Sequence, residues 1–276
     1  MYKKFNNKII IGTANFGKKY GIEKHKISNK ELKKIFFFLN KKNLRMIDTS
    51  EKYGNAENII SENIADNKSK WKIITKVSDD GSKLSEKYSK IVNKFGIKPT
   101  VLMAHNAKDF KNLRFRKKLL EIKKKNKVKI GVSVYTKSEI LNIIKFNNLD
   151  VIQLPLSIID QRLTKNNLLK KIKKKGIEIH ARSIFFKGVI FKKKEFFKKN
   201  KIYYKLAESF EKNYKYTPSQ ICLNWINRQK YIDKIILGVD SVDQLKKNLF
   251  DLKYIKKRTD FKILKIPDKY LDLRKI

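Results

Sequence analysis

The sequence predicts an α/β protein that folds as one (β/α)8 barrel, or TIM barrel. Eight short apolar runs rich in Ile and Val recur along the 276 residues, and segments with helical periodicity alternate with them. Runs that are apolar almost throughout are typical of parallel strands buried on both faces. Eight such strands with eight helical crossovers form a closed barrel.

The predicted strands and helices alternate along the whole chain. The candidate strands are residues 8–13, 44–48, 71–76, 100–105, 129–133, 151–155, 178–182 and 234–238. The candidate helices are residues 30–41, 55–65, 84–95, 112–125, 138–146, 167–175, 201–213, 218–229 and 242–249. Ser28 and Glu31 have the spacing of a capping box ahead of the first helix. Pro218 suits a first helical position behind Thr217.

An open, doubly wound sheet is the competing architecture. It predicts a glycine-rich phosphate turn directly after the first strand. Residues 12–17 lack the G-x-G-x-x-G spacing and lead into a loop, so the barrel is favoured. No change of composition and no linker divides the chain, so we expect a single domain over residues 1–276.

Three segments lie outside the regular alternation of strands and helices. Residues 106–110 are predicted to form a short loop after the fourth strand. Residues 186–200 are a longer insertion after the seventh strand, and residues 262–276 are a tail that we expect to wrap around the barrel.

The formal net charge of +42 is the most extreme feature of the composition. Such a charge suits a nucleic-acid or anionic-membrane binder. However, Lys far outnumbers Arg, and Asn and Ile are also abundant, as codons rich in A and T would produce. The lysines fall mostly on the outer faces of predicted helices. We therefore expect a solvated basic surface, a modest attraction for phosphorylated ligands and no specific nucleic-acid site.

Membrane insertion and disulfide bonding are not expected. No apolar run reaches the roughly 18 residues that a membrane helix needs, and the N-terminal run is too short for the core of a signal peptide. Cys222, the single cysteine, is predicted to be buried in a helix. These features predict a cytoplasmic protein. The histidines His25, His105 and His180 are too widely spaced to indicate a metal site.

Four ionisable side chains, Asp48, Tyr53, Lys76 and His105, stand at or just after the ends of predicted strands two, three and four. The C-terminal ends of strands in a parallel barrel converge on one mouth, so we expect the four to lie together. Each of these residues, taken alone, could have a purely structural role. Asp48, for example, could cap a turn. Their joint placement favours a shared role in proton transfer.

A phenol keeps its proton to about pH 10, so Tyr53 needs a cationic neighbour to act as an acid near neutrality. Lys76 can supply that charge, and Asp48 can hold Lys76 in an ion pair. His105 can orient a carbonyl oxygen or share in its protonation. The set suits protonation of an oxyanion that forms while hydride is delivered to a carbonyl.

The residues that carry this chemistry also resemble the aldo-keto reductases over nearly the whole chain. The matching positions are residues 11–17, 47–54, 57, 75–76, 105, 131–133, 153, 160–161 and 238–248. The resemblance implies a (β/α)8 barrel that binds NADPH or NADH and reduces a small carbonyl substrate. It implies Tyr53 as the acid, Lys76 and Asp48 as its tuning pair, and His105 as the orienting group.

The resemblance also implies a cofactor site. Its candidate residues are Gly12, Thr13, Ser133, Gln153, Arg182, Gly238, Ser241, Gln244 and Asn248. Ser133 and Gln153 match positions that hold the nicotinamide carboxamide. Val134 departs from the family, because Asn is common at its position.

Two further departures concern the nicotinamide ring and the 2′-phosphate. Arg182 stands where an aromatic side chain often covers the ring; it can stack through its guanidinium face, approach a substrate anion, or pair with a nearby carboxylate. Gln244 stands where Arg is common. Ser241 and a helix N-terminus can still bind phosphate, helped by Lys247 and opposed by Asp240, so we expect a slight preference for NADPH.

A short rim predicts an open pocket that suits polar or bulky carbonyls such as sugars, with Phe16, Tyr20 and Phe185 as candidate walls. Two other functions remain open at this point. One is a catalytically weak barrel that binds the cofactor as a regulatory or scaffold subunit. The other is a polyanion-binding protein that uses the basic surface. The sequence does not predict an oligomeric state.

Overall fold

Eight parallel strands close into a barrel in the computed structural model of the protein, which describes residues 7–22, 26–213, 215–254 and 261–272. Each strand pairs with the next along the chain, and the last pairs with the first. The strands are β1 (Ile9–Gly12), β2 (Met46–Asp48), β3 (Lys72–Val77), β4 (Val101–Ala104), β5 (Lys129–Ser133), β6 (Val151–Pro155), β7 (Glu178–Arg182) and β8 (Lys234–Gly238). The predicted (β/α)8 barrel is confirmed.

The helices cover the outside of the barrel between the strands. The α-helices are α1 (Asn29–Lys41), α2 (Ala56–Ile64), α3 (Leu84–Phe95), α4 (Ala107–Lys111), α5 (Leu113–Asn126), α6 (Lys137–Ile143), α7 (Leu168–Lys174), α8 (Lys201–Glu211), α9 (Pro218–Asn227) and α10 (Val242–Tyr254). Short 3-10 helices span Ala65–Lys70, Arg162–Asn167, Phe186–Phe191, Lys194–Phe197 and Asp268–Tyr270.

Strands β5 to β8 have the predicted bounds, whereas β1 to β4 start or end one or two residues away from them. The largest shift is at β2, where residues 44 and 45 precede the ladder with β3 that begins at Met46. The prediction of a loop at residues 106–110 was wrong, because Ala107–Lys111 form α4. Asn106 caps that helix by accepting a hydrogen bond from the backbone N–H of Asp109 at 2.9 Å.

The predicted capping pattern is complete at the start of α9 and only partly formed at the start of α1. Thr217 and Gln220 form a complete capping box around Pro218, as the position of the proline predicts. The box expected from Ser28 and Glu31 is only half formed. Ser28 caps α1, but the carboxylate of Glu31 accepts a hydrogen bond from the backbone N–H of Val242 at 2.7 Å. Glu31 therefore links the first helix to the last.

The strand residues alternate between two apolar clusters. The larger cluster lies between the strands and the helices. The smaller fills the barrel and consists of Ile10, Ile74, Val101, Met103, Val151 and Ile236, with Met46 packed against it. Gly131 makes room for this filling, because a Cβ on it would lie 2.9 Å from the Cε atom of Met103. The barrel is therefore packed beneath its C-terminal mouth.

The structure also bears on two further predictions, the burial of Cys222 and the packing of the C-terminal tail. Cys222 lies on α9 with no exposed surface, as expected, and burial raises the pKa of its thiol. The tail packs on α8 where it is described: Leu271 is buried, and the Tyr203 hydroxyl donates a hydrogen bond to the Tyr270 carbonyl at 3.1 Å. His25 lies outside the described residues. No helix in the described ranges is long and apolar enough to cross a membrane.

Candidate active site

Eight residues, one from the C-terminal end of each strand, line a cavity at the mouth of the barrel, together with Ile236 of β8. These eight residues are Gly12, Asp48, Lys76, His105, Ser133, Gln153, Arg182 and Gly238, the fourth of which directly follows β4. Side chains alternate along a strand, so a residue two positions after a lumen residue also faces inward. Lys76 follows Ile74 in this way, and Gly238 follows Ile236. Tyr53 joins the lining from the loop after β2, and the cavity has a volume of about 400 Å³.

The four acid–base residues lie together, as the strand positions predict, and a buried ion pair stands at their centre. Lys76 Nζ donates hydrogen bonds to both carboxylate oxygens of Asp48, at 2.7 and 2.6 Å. The two side chains are 2% and 4% exposed. Burial lowers the pKa of Lys76, and Asp48 opposes that shift. A pair held this deeply needs each partner, because the loss of one leaves a buried charge alone.

The ring of Tyr53 lies beside this pair. Lys76 Nζ is 5.1 Å from the ring centroid. Burial raises the pKa of the Tyr53 phenol, and the negative charge of Asp48 raises it further. The charge of Arg182 lowers this pKa but does not outweigh the other causes. The phenol is therefore protonated in the resting protein.

His105 completes the group at the end of β4. Its ring meets that of Tyr53 edge-on, with centroids 6.2 Å apart. Burial, and then the charge of Lys76, lowers the pKa of His105 to about 3, so the imidazole is neutral near pH 7. Its Nδ1 atom lies 2.8 Å from the hydroxyl of Ser50, which is also 3.1 Å from the Lys76 carbonyl. Sequence analysis missed Ser50, although it lies between Asp48 and Tyr53.

Ser133 and Gln153 are register partners on β5 and β6. Gln153 is fully buried, and its Nε2 donates a hydrogen bond to Asp48 Oδ1 at 2.7 Å. An ionised carboxylate only accepts hydrogen bonds, so the amide must face Asp48 with its nitrogen. Oε1 of Gln153 is left as a buried acceptor without a partner among the described residues. Gln153 itself lines the cavity, although this oxygen atom has almost no exposed surface.

Two of the predicted cofactor residues, Ser241 and Asn248, lie outside the cavity lining. Gln244, on the same helix as Asn248, is part of the lining. Ser241 accepts a hydrogen bond from the backbone N–H of Gln244 at 3.1 Å and so caps the first turn of α10. Gln244 Oε1 accepts one from the backbone N–H of Asp240 at 2.7 Å. Asn248 is buried on the same helix, and its Nδ2 finds no partner among the described residues.

Thr13 lines the cavity and also ties two strand ends together. Its backbone N–H and its hydroxyl both donate to the Asp48 carbonyl, each at 3.0 Å. Asn15, which sequence analysis did not single out, makes a similar tie on the other side of β1. Its Nδ2 donates to the Val239 carbonyl at 2.7 Å and to Asp240 Oδ1 at 2.6 Å.

The candidate walls are partly as expected. Tyr20 and Phe185 line the cavity. Phe16 does not: it is fully buried, and its ring packs 5.9 Å from that of Phe36, so its prediction as a wall was wrong. Tyr135 and Lys187 also line the cavity and were not predicted. No group of three or more His, Cys, Asp or Glu residues that could hold a metal ion occurs within the described part of the chain.

Active sites of (β/α)8 barrel enzymes lie at the C-terminal mouth, where this cluster of ionisable residues is found. The chain belongs to the aldo-keto reductases, since the model of the Aldo/keto reductase family matches residues 8–266. No curated protein matches the sequence. The family consists of NAD(P)H-dependent oxidoreductases that act on small carbonyl compounds, which makes this chain an oxidoreductase.

Solved structures of low sequence identity share the fold. An aldo-keto reductase from Bacillus halodurans in its holo form has a TM-score of 0.74 at 15% identity, over 91% of this chain and 88% of that one. A glycerol dehydrogenase from Gluconobacter oxydans has a TM-score of 0.71 at 15% identity, over 91% and 87% of the two chains. At these identities the likeness concerns the fold alone.

Proposed function

We propose that the protein reduces an aldehyde or ketone to an alcohol, with NADPH or NADH as the source of hydride. The observation that carries this proposal is the buried Asp48–Lys76 ion pair beside the protonated phenol of Tyr53. When bound, the reduced nicotinamide supplies the hydride that adds to the carbonyl carbon. Tyr53 donates its phenolic proton to the carbonyl oxygen of the substrate.

Tyr53 suits the role of general acid because its proton is present at every physiological pH. As the substrate oxygen gains negative charge, its affinity for a proton rises above that of the phenol. The phenolate that remains after transfer is stabilised by the nearby positive charges of Lys76 and Arg182. Asp48 holds the ammonium of Lys76 in place through two hydrogen bonds.

His105 is proposed to orient the substrate carbonyl as a neutral donor. The hydroxyl of Ser50 has one hydrogen, which it donates to the Lys76 carbonyl at 3.1 Å and can instead turn to His105 Nδ1 at 2.8 Å. When that hydroxyl donates to Nδ1, the proton of the neutral imidazole sits on Nε2. Nε2 can then donate to the substrate oxygen. The lowered pKa of His105 fits this role, because orientation needs no added charge.

The nicotinamide carboxamide is proposed to lie against Ser133 and Gln153. Support comes from the unpartnered Oε1 of Gln153, a buried acceptor in the cavity lining. Arg182 borders the same cavity where the resemblance implies an aromatic ring. Gly12 and Gly238 close the opposite side, where the backbones of β1 and β8 pair at these two residues.

The phosphates of the cofactor are proposed to bind near the start of α10. This helix has 13 residues, and a helix N-terminus favours anions. Gln244 lies in the cavity lining there, and Lys247 is one turn further on. The negative charge of Asp240 in the same lining weakens a preference for the extra phosphate of NADPH, so we propose that this preference is slight.

The substrate is proposed to be polar and of sugar size. A cavity of about 400 Å³ is within the range of small-molecule sites. Tyr20 and Phe185 supply aromatic walls, and six of the eight strand-end residues supply polar side chains. The protein is proposed to act in the cytoplasm, in keeping with a single cysteine buried away from solvent.

Titration of the protein with NADPH and NADH at physiological salt, followed by fluorescence, tests the cofactor part of the proposal. Tight binding of either nucleotide supports it, and the tighter one identifies the preferred cofactor. A screen of carbonyl substrates then tests reduction, with Tyr53→Phe as the control. Binding without turnover of any carbonyl would favour a scaffold role. No binding by the folded protein would refute the reductase.

A further inference from the structure

Arg182 is a half-buried cation without an acidic partner. Its Nη2 donates a hydrogen bond to the Val134 carbonyl at 3.2 Å, and its Nη1 to the Ser183 hydroxyl at 3.3 Å. The guanidinium carbon lies 4.1 Å from the centroid of the Tyr135 ring. Among the described residues, no carboxylate lies within ion-pair distance of Arg182.

Arg162, by comparison, is an arginine whose charge is neutralised within the protein. Its Nε and Nη2 atoms donate to the two carboxylate oxygens of Asp160, each at 2.8 Å. Planar, paired bonds of this kind are what the guanidinium group forms best. Arg182 instead donates hydrogen bonds to one carbonyl and one hydroxyl, both of which are uncharged. A cation held partly out of water without a counter-charge is costly to a protein unless a ligand supplies the charge.

The other charges of the cavity have partners. Asp48 pairs with Lys76, and Asp240 accepts a hydrogen bond from Asn15. Lys187 lies in the field of Asp272, which raises the pKa of that lysine against the effect of burial. Among the described residues, Arg182 is therefore the cavity-lining cation that has no carboxylate beside it. A single positive charge on a planar fork matches the charge and the planar shape of a carboxylate.

Arg182 also lies within electrostatic reach of the reacting groups. Its charge lowers the pKa values of Tyr53, Lys76 and His105. It ends β7, across the mouth of the barrel from β3, which carries Lys76. An anion bound to Arg182 therefore shares the cavity with a carbonyl group placed at Tyr53.

We propose that the substrate is a carbonyl compound that also carries a carboxylate, and that Arg182 binds this carboxylate. The inference rests on the proposed reductase function, which it narrows to oxo acids and sugar acids. It makes Arg182 a substrate-binding residue that decides specificity.

A matched pair of aldehydes tests the preference directly. 4-Formylbenzoate and 4-formylbenzamide share the ring and the reactive group and differ in charge. We expect kcat/KM to be about tenfold or more higher for the benzoate, because only the benzoate can form charge-assisted hydrogen bonds with the guanidinium group. Equal values for the two aldehydes would overturn the proposal.

Three variants test whether Arg182 causes the preference for the carboxylate-bearing aldehyde. Arg182→Met should remove it, and Arg182→Lys should keep part of it, because Lys retains the charge without the planar fork. Arg116→Met is the control, since Arg116 stacks on Phe146 at 4.0 Å outside the cavity lining. It should behave as wild type. A preference that survives in Arg182→Met, or weaker NADPH binding as the sole effect of that change, would refute the assignment.

Calorimetry on the two alcohol products separates this inference from the reductase function. 4-(Hydroxymethyl)benzoate should bind wild type about tenfold or more tightly than the corresponding amide, and Arg182→Met should bind the two equally. If this pattern appears but neither aldehyde is reduced, the anion site stands and the reductase proposal fails. If neither alcohol binds, or both bind wild type equally, the anion site fails.

Discussion

The mouth of the barrel has two unlike sides. On the side of β2 to β4, Asp48 accepts hydrogen bonds from Lys76 and Gln153, and His105 is bonded to Ser50. On the side of β5 to β8, Oε1 of Gln153 has no partner within the described ranges, and Arg182 has no counter-charge there. The charged groups of the first side are paired within the protein, with one bond supplied by Gln153 of β6, whereas Arg182 on the second side has no such pair.

This difference separates groups that the fold needs from groups that a ligand needs. A change on the closed side removes an internal partner and should cost stability as well as activity. A change on the open side, that of β5 to β8, removes fewer internal contacts, such as the bond from Gln153 to Asp48, so it should weaken ligand binding with a smaller loss of stability. Tyr53 lies between the two, because no described hydrogen bond depends on its hydroxyl.

Tyr53→Phe should have the largest effect on chemistry. Removal of a general acid costs roughly 10²- to 10⁴-fold in rate. We expect kcat to fall by that factor while the dissociation constant of NADPH and the free energy of unfolding stay close to wild type. Steady-state kinetics with a carbonyl substrate measures kcat, and a fluorescence titration measures the dissociation constant of NADPH. Unchanged turnover would remove Tyr53 from the mechanism.

Lys76→Met should have the largest effect on stability. It leaves the Asp48 carboxylate buried without its ion-pair partner, which typically costs about 3–5 kcal/mol. Urea unfolding gives the value. The control is Lys90→Met, which breaks the exposed pair with Glu86 and should cost about 0.5 kcal/mol or less. Similar losses in the two variants would show that the buried pair is not a structural requirement.

The double variant Asp48→Asn/Lys76→Met sharpens the same test. It removes both charges together, so it should be less destabilised than Lys76→Met alone. Additive losses would contradict the view that the single variant suffers from an isolated buried charge.

Gln153→Met tests the open side with a smaller expected effect. The change keeps the length of the side chain and removes the unpartnered acceptor along with the bond to Asp48. One hydrogen bond contributes about 0.5–1.5 kcal/mol, so we expect the NADPH dissociation constant to rise by roughly 2- to 12-fold. Its loss of stability should be smaller than that of Lys76→Met. Unaltered affinity for both nucleotides would take Gln153 out of the cofactor site.

A further effect concerns pH. His105 has a folded-state pKa of about 3, below its ordinary value of 6.5. Between these values the unfolded chain binds a proton at His105 that the folded protein does not, so this residue lowers the free energy of unfolding as pH falls from 6.5. His105→Asn should flatten that dependence, as measured by urea unfolding from pH 7 to pH 5. An equally steep loss in the variant would contradict the neutral imidazole.

Much of the site followed from spacing along single strands. Asp48, Lys76 and His105 each come after a buried apolar run, and strands in a parallel barrel all end at one mouth. Their convergence was therefore predictable before any contact was known. The same reasoning failed for Phe16, because a loop residue has no strand period to say which way it points.

Contacts between distant parts of the chain could not be predicted in this way. Gln153 reaches Asp48 across 105 residues, and Glu31 leaves its own helix to bond the backbone of Val242. Neither contact was predicted: the resemblance implied a carboxamide contact for Gln153, which remains a proposal, and local spacing predicted a capping box for Glu31. The partner was chosen by the closure of the barrel, which brings side chains together from elements that are remote in sequence.

The apolar periodicity of the chain and the order of its polar strand ends were enough to specify the barrel and the layer that carries the site. This is because the period of two and the parallel direction are properties of each strand alone. The tertiary structure decided which of those polar atoms are satisfied within the protein and which are left open. Asp48 and Lys76 neutralise each other while Arg182 has no described carboxylate partner, because hydrogen bonding and charge balance depend on every neighbour that the closed barrel supplies.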